Sequence, residues 1–100
     1  MSLSAIMEHE ARLVALRLLA EQTDGRLNSS LLRDELADRW AINRTRDWLH
    51  TQLRYLADIG AVHVTEAGTV LIAEITRRGL DHVERRIALD GVKRPSPPEI

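Results

Sequence analysis

The sequence predicts a mainly α-helical domain with one small β-hairpin, in the order α-α-α-β-β-α. Three observations lead there. Residues 5–22 hold neither Gly nor Pro, and nearly every one favours a helix. Two further segments repeat leucines at helical spacing and are separated by only about four residues, so their helices must cross sharply. Beyond Gly60 the pattern changes to two β-branched runs around a Gly-containing connection.

The first helix is expected from Ala5 to Gln22, with Met1 to Ser4 as a frayed end and Asp24-Gly25 as the stop. At 100° per residue, Leu13, Leu16 and Ala20 form one apolar stripe, while Ala11, Val14, Ala15 and Leu18 form another on the opposite side. A surface helix needs one stripe, and so small a domain has little interior with which to surround a helix. The second stripe therefore points either to deep burial within the domain or to another subunit, and with so little interior the expectation is a homodimer through helix 1, with helix 4 as a second candidate surface.

Asn28 caps a second helix through Ser29 to Arg39, with Leu31, Leu32 and Leu36 inward and Trp40-Ala41-Ile42 at its end. Asn43 reads as the cap of a third helix reaching Ile59, where Leu49, Leu53 and Leu56 recur at spacings of four and three before Gly60. The hairpin pairs Ala61 to Thr65 with Val70 to Ile75 across Glu66-Ala67-Gly68-Thr69. Thr76 caps a final helix with Leu80, Val83 and Ile87 on one face. Residues 5–88 make the domain; residues 89–100, rich in proline and poor in apolar side chains, read as a disordered tail.

Composition narrows the classes of function. One hundred residues with 44% hydrophobic content suit one core, and 3% aromatic content makes that core aliphatic around Trp40, Trp48 and Tyr55. With no cysteine, disulfides and thiolate metal sites are excluded, and the cytoplasm is the expected compartment. No basic start with an apolar run, and no stretch near the roughly 20 apolar residues of a span, argues for secretion or a membrane. Formal charge is −1 and the sequence pI is about 6.4, against a large electrostatic DNA footprint.

Leu49, Leu53, Leu56 and Gly60-Ala61-Val62 look like a recognition helix running into a wing strand, and Ile75-Thr76-Arg77-Arg78-Gly79 looks like a wing strand passing into a capped helix. On these residues the chain resembles the winged helix superfamily of transcription regulators over Ala5 to Ile87. As a whole it is also similar to small uncharacterised proteins encoded by Mu-like prophages. The resemblance implies a winged helix DNA-binding protein, a small regulator of bacterial or prophage origin. The competing reading is a winged helix used for protein-protein contact, as an adaptor or in phage assembly, without DNA.

If the third helix enters a major groove, the reading residues are Asn43, Arg44, Arg46, Asp47, His50, Thr51 and Arg54, with double-stranded DNA as partner. Asp47 and Asp58 would repel phosphate unless Asp47 is paired or reads a cytosine. The connection at Glu66 to Thr69 carries no Lys or Arg, which reads as a structural turn. Arg77, Arg78, Arg85, Arg86, Lys93 and Arg94 read as surface partners of Asp81, Glu84 and Asp90 before phosphate contacts. Trp40 and Trp48 are assigned to the core before base stacking.

His9, His50, His63 and His82 lack metal-ligand spacing, so no metal is expected. There is no Gly-rich phosphate loop, nucleophile elbow or paired carboxylate motif, so neither an enzyme nor a cofactor is expected.

Overall fold

The first helix begins earlier than its composition suggests. In the computed structural model, which describes residues 1–97, the Ser2 hydroxyl accepts the Ala5 amide at 3.1 Å and α1 runs over Leu3–Ala20. Strand β1 (Arg26–Asn28) leads directly into α2 (Ser29–Trp40), whose start is satisfied by Asn28 accepting the Leu31 amide, as the sequence predicts. Then follow α3 (Arg46–Asp58), β2 (Val62–Ala67), β3 (Val70–Ile75) and α4 (Arg77–Val83). The fold is mainly α with a small antiparallel sheet, as expected, except that the sheet has three strands.

The third strand is legible only in space. β1 has three residues and no alternation, and pairing with β3 creates it: Arg26 faces Glu74, Leu27 faces Ala73 and Asn28 faces Ile72. The order β1-β3-β2 places β3 in the middle. Ser29 ties α2 to this sheet, its fully buried hydroxyl oxygen accepting the Leu71 amide at 3.0 Å.

Both stripes of α1 are covered by the chain itself. Ala11, Val14, Ala15 and Leu18, read in the sequence as a subunit contact, are at most 2% exposed. Every other element but β2 packs around α1, so it is the central helix of the domain. The premise for a dimer through its second stripe therefore falls. What α1 leaves open is its beginning, where Met1, Leu3 and Ile6 are 84%, 73% and 45% exposed.

Other expectations are corrected at element ends. Leu31 lies 50% exposed on α2, while Leu32 and Leu36 are buried as predicted. α2 stops because Ala41 turns left-handed, φ +55°, and the Ile42 amide reaches back to the Leu36 carbonyl. The cap of α3 is Thr45, whose hydroxyl accepts the Trp48 amide at 3.1 Å; Asn43 lies in the preceding loop. Thr76 caps α4 as predicted, but the helix ends at Val83, so Ile87 remains 36% exposed and His82 is the residue turned inward.

The largest departure concerns residues 89–97. Leu89 and Val92 are 5% and 6% exposed, and Pro95 is also buried. The fully buried His82 organises this return: its Nδ1 accepts the Leu89 amide at 3.0 Å, so its Nε2 carries the hydrogen toward the Lys93 carbonyl at 2.9 Å. The Lys93 amide donates to the His9 carbonyl on α1. Residues 89–95 thus form a strap across the domain, and the boundary expected at residue 88 is not a packing boundary. The final three residues of the expected tail, 98–100, lie outside the described residues.

The core is aliphatic, centred on α1 with Leu32, Leu36, Leu49, Leu53, Leu56, Leu71 and the strap. Trp40 and Trp48 pack against its edge as half-buried residues, in keeping with their assignment to the core. Among the described residues no helix is long and apolar enough to cross a membrane.

Candidate nucleic-acid interface

Helix α3 is fastened through one side. Leu49, Leu53 and Leu56 are at most 1% exposed, and burial of each contributes about 1.5–3 kcal/mol. Gln52, on the same side, is held by Arg12, whose Nε donates to its carbonyl at 2.9 Å, while its own amide donates to Glu8. Fixing this side commits the opposite one to solvent, because residues three and four apart share a face. Asp47, Thr51, Arg54 and Asp58 form the exposed row, flanked by Arg46 and by the half-buried His50.

Five of the seven residues proposed from sequence therefore come together on this face: Arg46, Asp47, His50, Thr51 and Arg54. The other two sit elsewhere. Asn43 is exposed in the loop before the helix, and Arg44 folds away from the face toward α1. Its Nε and Nη2 lie 3.2 and 3.0 Å from Met7 Sδ, and its guanidinium lies 5.8 Å from the centre of the Trp48 ring.

The polar groups of the face are not equally available. Thr51 donates its hydroxyl hydrogen to the Asp47 carbonyl at 3.1 Å, which leaves its oxygen to accept. His50 Nε2 lies 2.8 Å from Ser29 Oγ. Desolvation pushes the His50 pKa down, and the nearby Arg46 and Arg54 push the same way against Asp47. Arg54 reaches the wing, pairing with Glu66 at 3.1 Å in an exposed ion pair. The wing connection itself presents no cation.

One residue escaped the sequence reading. Arg33 stands on the exposed side of α2 and donates its Nε to the Arg44 carbonyl at 3.0 Å. With Thr45, Arg46 and Asp47 it lines a shallow hollow of about 300 Å³ at the start of α3. It lies thirteen positions before Arg46, and only the crossing of α2 and α3 brings the two cations together. The basic residues of α4 and of the turn after it divide: Arg77 and Arg86 pair with Asp81, and Arg86 also with Glu84, as expected of surface partners. Arg78 donates to the Ile59 carbonyl at 2.9 Å, closing the end of α3.

No family model matches the chain. Among solved structures it is similar to F93 from STIV, described as a winged-helix DNA-binding protein, with a TM-score of 0.60 and 23% identity, covering 74% of this chain and 79% of that one. It is also similar to hsRosR in its S4 complex structure, with a TM-score of 0.64 and 20% identity over 75% of this chain. The chain spans 64% of the length of that hsRosR chain. These likenesses establish a winged helix fold. Among curated proteins, the uncharacterized protein gp26 of Escherichia phage Mu is 36% identical over 92 residues, covering 92% of this chain and 94% of the relative. With that identity sustained over nearly the full length of both, the chain belongs to the family of the phage Mu protein gp26.

Proposed function

We propose that this protein binds double-stranded DNA through the exposed face of α3 and serves as a small transcriptional regulator in the bacterial cytoplasm, in a prophage setting. The observation that carries the reading is the convergence of Arg46, Thr51 and Arg54 on the solvent side of α3, with Arg33 beside its first turn. Arginine can pair bidentately with guanine or hold a phosphate, and the Thr51 oxygen can accept from a base amine or from a water that bridges to a phosphate. The likeness to F93 supports it as an analogy of fold. A homodimer through α1 belongs to the same reading, and the surface open to it is Met1, Leu3 and Ile6.

A second reading, a protein-interaction module, is favoured by the charge on the same face. Asp47 and Asp58 match Arg46 and Arg54 in number, Glu66 already holds Arg54, and the wing connection has no cation for a phosphate. Fluorescence anisotropy of the intact protein with a random duplex and with its own upstream DNA separates the two. Binding of the upstream duplex that persists at physiological salt and weakens in Arg46→Ala supports the regulator. No binding even at low salt, where non-specific contacts are strongest, sinks it.

A further inference from the structure

Helix α4 closes in a turn that would suit glycine. The Arg85 amide donates to the His82 carbonyl at 3.1 Å and the Arg86 amide to the Asp81 carbonyl at 2.8 Å. This double closure puts Arg85 in the left-handed region, φ +65°. A side chain there strains the backbone, whereas glycine takes the same conformation freely. Glycine would relax this turn; Arg85 instead places an exposed guanidinium there.

Arg85 and Arg94 border a hollow of about 280 Å³, completed by Arg86, Ile87, Ala88 and Pro95. Arg86 is taken by Asp81 and Glu84, but Arg85 and Arg94 have no carboxylate within ion-pair distance among the described residues. Residues 77–97 hold six basic and three acidic side chains, so this end of the molecule carries the basic excess that α3 lacks. Two cations without an ion-pair partner among the described residues, beside the exposed Ile87, suit an acidic, amphipathic helix.

The chain displays such a helix. On α2, Leu31 is 50% exposed, and Asp34 and Asp38 follow at spacings of three and seven, on the same face. Both aspartates are exposed and have no cation within ion-pair distance among the described residues. Within one molecule, no ion pair among the described residues joins Asp34 or Asp38 to Arg85 or Arg94; α2 packs on α1, α3, β1 and β3, whereas α4 packs on α1 and β3.

We propose that the hollow at the end of α4 receives the acidic face of α2 from a second copy of this chain. Arg85 and Arg94 pair with Asp34 and Asp38, and Leu31 enters beside Ile87 and Pro95. Because the two surfaces differ, the contact either repeats head to tail or closes as a two-fold pair in which each copy gives its hollow to the partner's α2. The contact uses neither the outer face of α3 nor the exposed start of α1, so it stands apart from the DNA reading.

Sedimentation velocity over a concentration series at low salt tests the proposal. Wild type grows beyond the monomer, and raising the salt reverses the growth. Arg85→Glu with Arg94→Glu, or Asp34→Lys with Asp38→Lys, weakens association at least about tenfold. An equimolar mixture of these two charge-reversed variants regains it. Arg85→Gly, which relieves the left-handed strain, folds at least as stably as wild type and associates less. A wild type that stays monomeric at low salt overturns the proposal, as does a mixture that fails to associate. So does association that ignores both reversals and disappears with Leu3→Asp and Ile6→Asp, which would assign self-association to α1.

Discussion

The guanidinium of Arg12 lies over the ring of Tyr55, its carbon 3.7 Å from the ring centre, and the two side chains grip the same piece of backbone. Arg12 Nη1 donates to the Gly91 carbonyl at 2.8 Å and Tyr55 Oη to the Asp90 carbonyl at 2.9 Å. Arg12 belongs to α1 and Tyr55 to α3, so the strap is clasped by the central helix and by the inner side of the helix that carries the candidate interface. Arg12 is only 8% exposed, and its charge is compensated by Glu8 at 3.6 Å, Gln52 and the ring.

Gly91 is the point at which this clasp is most easily broken. Its φ is +76°, and a Cβ there would collide with the Tyr55 hydroxyl and crowd Arg12. Gly91→Val should lower unfolding free energy by about 2–4 kcal/mol through strain and loss of the strap's contacts. Urea denaturation measures this. Tyr55→Phe, which removes only the bond to Asp90, should cost about 1 kcal/mol.

The caps of α3 give a sharper test of the local structure. Thr45→Ala should cost about 1 kcal/mol, because the Trp48 amide loses its acceptor. Asn43→Ala should change stability by no more than about 0.5 kcal/mol, as expected of an exposed loop residue. Equal losses in the two variants would return the cap to Asn43.

His50 couples stability to pH in a stated direction. Its folded-state pKa lies below the ordinary 6.5, first through desolvation and then through Arg46. In the interval below 6.5 the unfolded chain binds more protons at this site than the folded one, so stability rises with pH. The contribution is complete above the ordinary value and is lost as pH falls through the lowered folded value. Denaturation midpoints measured from pH 7.5 down to 5 should fall, and His50→Gln should flatten that part of the slope.

Glu66 restrains Arg54 more than it stabilises the fold. Both side chains are largely exposed, 76% and 56%, so the pair contributes no more than about 1 kcal/mol. Glu66→Gln should leave the melting temperature within a few degrees of wild type while raising duplex affinity and steepening its dependence on salt. Unchanged binding in this variant, from a protein that does bind DNA, would place Arg54 outside the contact.

Much of this could be read from the chain alone, and the rest shares one physical origin. Helix α3 and its buried side were legible because Leu49, Leu53 and Leu56 keep helical spacing, and that spacing also sends Thr51 and Arg54 outward. The caps at Asn28 and Thr76 were legible because a side-chain acceptor three residues before an amide is a local arrangement. Such features depend on neighbours within a turn or two.

Features built from residues far apart in the chain were not legible. β1 exists because β3 offers Glu74, Ala73 and Ile72 some forty-five positions later. The strap is ordered because His82, His9, Arg12 and Tyr55 supply hydrogen bonds that its proline-rich composition gives no hint of. Arg33 joins the candidate interface, and Arg44 leaves it, through the crossing of α2 and α3 and the pull of Met7 and Trp48. Local periodicity along the chain carries which segments are helical and which side of α3 is apolar. What covers α1, which cations meet and where the strap is held emerge in three dimensions, because they depend on which distant surfaces are left to bury one another.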